Sequence, residues 1–151
     1  MVSTAKGIGG GLPLGATLLS EKVQNVLGHG DHGSTFGGNP VACAGGYSIL
    51  SRMDDAFLAD VLRKGQLVKE LLKGAEGVTS VCGMGLMIGI ETVAPAAEIV
   101  KSCIPRGVLC LTAKHKVRLL PALNITDDVL SEAVAIIKDA CAEAAKACKG
   151  E

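Results

Sequence analysis

A lysine standing immediately before a glycine run limits what the start of this chain can fold into. The segment reads Ala5-Lys6-Gly7-Ile8-Gly9-Gly10-Gly11-Leu12-Pro13-Leu14-Gly15-Ala16. Glycines at this density favour a turn, because each surrenders much backbone freedom inside a helix or strand. The order of residues argues against a phosphate-gripping P-loop, in which glycines come first and the lysine follows into a helix. Here the lysine leads, and the glycines trail into a short apolar strand over 16–19. Backbone without side chains beside a lysine suits a flat ligand held close. A lysine amine freed of its proton by desolvation or a neighbouring cation is a nucleophile able to form a Schiff base. The same residues equally fit a surface lysine at a flexible turn, and the segment by itself leaves both readings open.

A second motif, Asp31-His32-Gly33-Ser34-Thr35-Phe36-Gly37-Gly38-Asn39-Pro40, sets two hydroxyls and bare backbone before a helix start. Asn39 is a good N-cap and Pro40 fits the first helical position. Hydroxyls and free N–H groups at such a point suit a phosphate. A structural turn is the alternative, since Gly-Gly-Asn-Pro is sound turn chemistry anywhere.

Charge and composition remove several function classes. Fifteen acidic and fifteen basic residues cancel, so no electrostatic footprint for nucleic acid or an anionic membrane is expected. With one Tyr, two Phe and no Trp, platforms for stacking bases are not expected either. No apolar run is long enough to span a bilayer. The six cysteines, at positions 43, 82, 103, 110, 141 and 148, form no C-x-x-C pair and have no histidine at ligand spacing. No metal site is expected from them. Each lies in an apolar stretch, where a free thiol acts as a small hydrophobe. The chain opens with no signal-peptide pattern, so a reducing cytoplasm is the expected setting.

Along the chain, 1–20 reads as a glycine turn and one short strand, 21–27 as a helical turn, and 28–38 as a loop. Helices are expected over 40–53 and 54–73, the first kept slim by Ala42, Ala44, Gly45 and Gly46, the second carrying a stripe from Phe57 to Leu72. Strands follow at 78–82 and 86–92 around Gly83-Met84-Gly85, then a helix over 96–103. Strands at 108–111 and 116–120 flank a basic turn, Lys114-His115-Lys116. Thr126 caps the last helix, with Asp127 and Asp128 placed to meet the helix dipole. Elements alternating after residue 54 give an α+β unit, a small, mainly antiparallel sheet covered by helices. Residues 54–147 should form the ordered core. Residues 1–38 should be mobile or rearranged, with strand 16–19 an unpaired edge and a route to self-association. His29 and His32 read as loop hydrogen-bonders, His115 as solvated, and Met84 and Met87 as core.

With both motifs quoted, the chain resembles the class III aminotransferases, pyridoxal-phosphate (PLP) enzymes of fold type I. A third signature, Val117-Arg118-Leu119-Leu120-Pro121-Ala122-Leu123, lies near the C-terminus. The motifs are most similar to those of acetylornithine-type members. The resemblance implies that 1–53 ends the large PLP-binding domain and its connecting helix, and that 54–151 is the small C-terminal domain. It implies that Lys6 carries the Schiff base and shuttles a proton, and that Thr35, with Ser34, holds the cofactor phosphate across a homodimer. Arg118 would then grip the substrate α-carboxylate with a bidentate guanidinium. Amino-acid substrate and 2-oxoglutarate would be the reactants, in arginine biosynthesis. Ornithine, 4-aminobutyrate and succinylornithine enzymes share these three positions. The main phosphate-binding turn, the ring-stacking aromatic and the acid facing the pyridine nitrogen are expected upstream. The chain is therefore expected to be a C-terminal portion, inactive alone, holding PLP weakly or not at all. The alternative is a non-catalytic folded remnant that only self-associates.

Overall fold

The computed structural model describes residues 1–149. They divide into two compact units, one of Met1–Phe57 and a second beginning at Leu58.

In the first unit, β1 (Val2–Thr4) pairs antiparallel with β2 (Ala16–Leu18), setting Val2 opposite Leu18 and Ser3 opposite Thr17. The hydroxyls of Ser3 and Thr17 lie 3.1 Å apart. The strand expected to be an unpaired edge thus has a partner. The glycine run turns the chain back on itself, and three residues before Ala5 supply the ladder. Between the strands runs a 3-10 helix, Lys6–Gly9, closed by Gly10 in the left-handed conformation at φ 63°. Residues 21–27 form irregular turns, with Val23 N–H bonded to Ser20 O and Val26 N–H to Val23 O, where a helical turn was expected.

Helix α1 (Pro40–Leu50) starts as the sequence predicts: Asn39 Oδ1 accepts from Val41 N at 3.0 Å and Ala42 N at 3.1 Å. It stops short of Met53, where Ser51 and Arg52 turn back to bond Tyr47 O and Ser48 O. Its slimness has a use. A Cβ at Gly45 would stand 2.7 Å from the carbonyl oxygen of Gly9, so the 3-10 turn lies directly on bare helix backbone.

The second unit is built on a four-stranded sheet in the order β3 (Val78–Met84), β4 (Met87–Thr92), β6 (Lys116–Leu119), β5 (Leu111–Ala113), antiparallel throughout. Helices α2 (Asp55–Leu72), α3 (Ala96–Cys103) and α4 (Asp127–Lys149) complete it. Ile88, Ile90, Val117 and Leu119 bury one sheet face against Val68, Leu72, Ile99, Leu130, Val134 and Ile137. Each such side chain is worth about 1.5–3 kcal/mol in burial. The stripe on α2 is therefore a true core face, although Leu58 and Leu62 remain exposed. Asp54 Oδ1 caps α2 through Phe57 N at 2.8 Å. Strand β5 begins at Leu111, later than the expected 108, because Gly107 at φ 86° ends a 3-10 turn and Val108 N–H is committed to Cys103 O.

Two glycines permit backbone contact. A Cβ at Gly65 on α2 would stand 2.7 Å from the carbonyl carbon of Gly85 at the β3–β4 turn, and closer to its oxygen. Gly77, at φ 80°, faces the backbone of Cys141 on α4 in the same way. Arg63 ties α2 to α4 by bonding both Asp60 and Asp127 at 2.7 Å. Beside it the buried Lys64 pairs with Asp60 at 2.6 Å.

Met84 and Met87, expected in the core, are 79% and 61% exposed at the β3–β4 tip. Of the cysteines, 103, 110 and 141 are buried, whereas 43, 82 and 148 are exposed. Apolar neighbours in sequence did not guarantee burial, because a strand or helix alternates its faces.

Candidate functional site

In the first unit Lys6 opens the 3-10 helix with φ 58°, in the left-handed region. A side chain larger than glycine's or asparagine's pays about 1–2 kcal/mol to sit there. The preceding Ala5 is fully extended, at φ −159° and ψ −155°. The chain therefore pivots sharply at the lysine and projects it from the turn. Lys6 is exposed, and among the described residues it makes no hydrogen bond or ion pair. Gly7 beside it leaves open space where a Cβ would stand.

The hydroxyl-bearing loop belongs to the same unit. Ser34 and Thr35 are exposed, and among the described residues neither hydroxyl is taken up by a backbone or side-chain partner. Asn39 fixes where the loop ends by capping α1 through two N–H groups. His29 and His32, expected to bond within this loop, make no side-chain hydrogen bond among the described residues. The loop is instead closed by Asp31, whose Oδ2 accepts from Gly28 N at 2.7 Å. No hydrogen bond joins Lys6 to Ser34 or Thr35 among the described residues.

Arg118 stands in the second unit. Its strand, β6, is interior to the sheet and paired on both sides. Gly89 lies opposite it on β4 and Leu111 on β5. Val117 and Leu119 point to the core, which turns Arg118 to the other face. There it is half-buried, and its Nε is fully buried with no hydrogen-bond partner among the described residues. An unsatisfied buried donor on a guanidinium costs roughly 1–3 kcal/mol, and an approaching carboxylate would satisfy it bidentately.

The same sheet face carries a polar cluster that sequence reading missed. Glu91 on β4 accepts from Ser80 Oγ at 2.6 Å and pairs with Lys116 Nζ at 2.9 Å. His115 Nε2 lies 3.4 Å away and is itself largely exposed. These contacts, Ser80 first and Lys116 second, hold the Glu91 carboxyl down at a pKa of about 2. Lys116 also donates to Cys82 Sγ at 3.3 Å, and Glu91 foremost raises its pKa. Only the strand register brings these residues together, so no spacing along the chain announces them.

Comparison with known proteins follows the same lines. The family model for aminotransferase class-III matches residues 1–141. Acetylornithine aminotransferase of Haemophilus ducreyi is 46% identical over 145 residues, covering 95% of this chain and 37% of that protein. The mitochondrial acetylornithine aminotransferase of Saccharomyces cerevisiae is 39% identical over 137 residues, covering 86% and 32%. Among solved structures, acetylornithine aminotransferase from Elizabethkingia anophelis superposes with a TM-score of 0.79 at 30% identity, covering 93% of this chain and 40% of that one. Ornithine aminotransferase from Toxoplasma gondii gives a TM-score of 0.85 at 28% identity, covering 97% and 37%. The chain thus spans about a third of the length of these curated relatives. A match over nearly the whole chain, carrying the lysine turn, the hydroxyl loop and the arginine strand together, makes this protein a member of the class III aminotransferases.

Proposed function

We propose that this chain supplies the lysine and the carboxylate-binding arginine of a PLP-dependent aminotransferase acting on acetylornithine and 2-oxoglutarate. The observation that carries the reading is Lys6: a free amine, held in a left-handed conformation at the head of a glycine turn, in a chain of this family. The residues fit the cofactor. Among the described residues the amine is unengaged, bare backbone flanks it at Gly7, and the Ser34 and Thr35 hydroxyls are open to a phosphate. When bound, PLP supplies an electron sink for the carbon that bears the amino group. Lys6 Nζ holds the cofactor covalently and moves the proton at that carbon. Thr35 Oγ1, and Ser34 Oγ with it, donate across the homodimer to the phosphate of the cofactor in the partner subunit. Arg118 orients the substrate by its α-carboxylate, using the Nε that has no partner among the described residues.

A homodimer, a cytoplasmic location and a role in arginine biosynthesis belong to the same reading. It is supported by relatives named acetylornithine aminotransferase at 46% and 39% identity. Among the described residues no helix is long and apolar enough to cross a membrane. We further propose that residues 1–53 end the cofactor domain, that 54–151 form the small domain, and that the chain alone does not turn over.

The test uses a longer protein that contains this chain. Lys6→Ala should lower turnover by at least about 10²–10⁴-fold. Borohydride reduction with PLP present should label Lys6 in the parent and no residue in the variant. Label on another lysine would overturn the assignment. Turnover of acetylornithine by the 151-residue chain would overturn its inactivity.

A further inference from the structure

We propose that Cys82 and Lys116 form an oxidant-driven covalent cross-link, a single oxygen bridging sulfur and nitrogen, across the exposed face of the sheet. The two residues lie on β3 and β6, with β4 between them. Their side chains meet because residue 89 on β4 is glycine. A Cβ there would stand 3.3 Å from Cys82 Sγ and 3.2 Å from Lys116 Cδ, so the lysine stem lies over bare backbone and reaches the thiol. Nζ and Sγ are 3.3 Å apart. Lys116 is held in this pose by a second anchor, Glu91 at 2.9 Å, itself fixed by Ser80. Cys82 is exposed, so a small oxidant reaches it.

The separation favours an inserted oxygen over a direct bond. A sulfur–nitrogen bond would require the atoms to close to covalent length, against two strands that β4 keeps apart by its ladders. An oxygen between them takes up much of that gap. With hydrogen peroxide as oxidant the step balances: Cys–SH, Lys–NH3⁺ and two H2O2 give Lys–NH–O–S–Cys, three H2O and one H⁺. Sulfur and nitrogen each lose two electrons, and each peroxide gains two. The thiol proton and two ammonium protons leave, and one hydrogen stays on nitrogen. Such a bridge staples β3 to β6 beside Arg118. It also takes the ammonium from Glu91, leaving that carboxylate with Ser80 and His115. Among the described residues Cys82 is the one exposed cysteine in contact with a lysine amine; the other exposed thiols, Cys43 and Cys148, serve as internal references.

The experiment treats the 151-residue chain with modest hydrogen peroxide and maps it by intact and peptide mass spectrometry. The expected product gains one oxygen and loses two hydrogens. It joins the peptides holding Cys82 and Lys116 and returns to the starting mass in dithiothreitol. Cys82→Ser and Lys116→Arg should each abolish it, with circular dichroism showing both variants folded; should either fail to fold, the peptide map of the unaltered chain decides. Loss of two hydrogens alone would mean a direct sulfur–nitrogen bond and overturn the proposal. So would the same mass gain that resists dithiothreitol, which marks the isomeric sulfinamide. Oxidation of Cys82 to sulfinic acid with Lys116 unmodified, or no reaction at all, would also overturn it.

Discussion

Gly65→Ala sets two physical effects against each other at one position. Gly65 lies in the interior of α2, where alanine is favoured over glycine by about 1 kcal/mol. Helix propensity alone therefore predicts a stabilised protein. The packing says otherwise. A Cβ at 65 would stand 2.7 Å from the Gly85 carbonyl carbon, whereas ordinary contact begins at 3.4 Å, so helix and turn must separate by at least 3.4 − 2.7 = 0.7 Å. Neither side yields readily. The obstacle is backbone, and the turn is pinned from α2 by Lys69 Nζ, which donates to Gly83 O at 2.9 Å. Overpacking of this kind costs about 1–3 kcal/mol, and a backbone clash belongs at the upper end. Taking about 3 kcal/mol less the helical gain of about 1 leaves a net loss of about 2 kcal/mol. Urea unfolding followed by far-ultraviolet circular dichroism measures it, with a lowered midpoint and an unchanged slope expected. Gln66→Ala, one residue along and exposed, is the comparison and should stay within about 0.5 kcal/mol of the parent. A Gly65→Ala protein as stable as the parent, with the same slope, would show that the close approach does not constrain the fold.

Three further outcomes are expected. Glu91 has its pKa depressed from an ordinary 4.5 to about 2, so its stabilising contacts are complete above pH 4.5 and are lost as pH falls toward 2; Glu91→Gln should flatten acid unfolding across that window, and an identical acid limb in both proteins would rule this out. Burial pushes the Cys103 thiol up to about 12 and Cys141 to about 11, and raises Cys110 as well; an aromatic disulfide reagent should therefore titrate three thiols in the native chain and six in denaturant, and fast native labelling of Cys103 would contradict the packing. Lys114 turns the β5–β6 hairpin with φ 56°, a conformation glycine adopts freely; Lys114→Gly should stabilise the protein by about 0.5 kcal/mol, after the greater freedom of the unfolded glycine is counted, and a lowered melting temperature would refute it.

The parts of the fold legible in sequence are those whose cause is local. Helix α3 runs over Ala96–Cys103 as its pattern predicts, and Asn39-Pro40 marks the start of α1, because capping and proline geometry act within a few residues. Where the cause is distant, the sequence misleads. Val2–Thr4 reads as an unremarkable lead-in until the glycine turn folds Ala16–Leu18 against it. Met84 and Met87 look like core residues, yet the tight turn between them sets them on the open side of the sheet. For the candidate site, the positions of Lys6, Ser34, Thr35 and Arg118 were visible as motifs. The left-handed backbone of Lys6 and the unpartnered Nε of Arg118 were not. The cluster of Ser80, Glu91 and Lys116 depends on a register that includes an irregularity between Val78 and Ser80, which no spacing rule would have placed.

The sheet order β3-β4-β6-β5 also bears on how fast the second unit can assemble. Two of its ladders, β3–β4 and β5–β6, are hairpins with two-residue connections, and such contacts form within microseconds. The central ladder is different. Ile88 meets Leu119, 31 residues later, across a connection that includes α3. The entropy of closing that loop is spent before any β4–β6 contact rewards it. We therefore expect the β4–β6 junction to set the folding rate. Doubling the length of its connection with flexible residues at the exposed Gly107 turn should cost about 0.6 kcal/mol and slow refolding roughly threefold. The unfolding rate should stay nearly constant in stopped-flow measurements. An unchanged refolding rate with unfolding roughly threefold faster would place the barrier elsewhere.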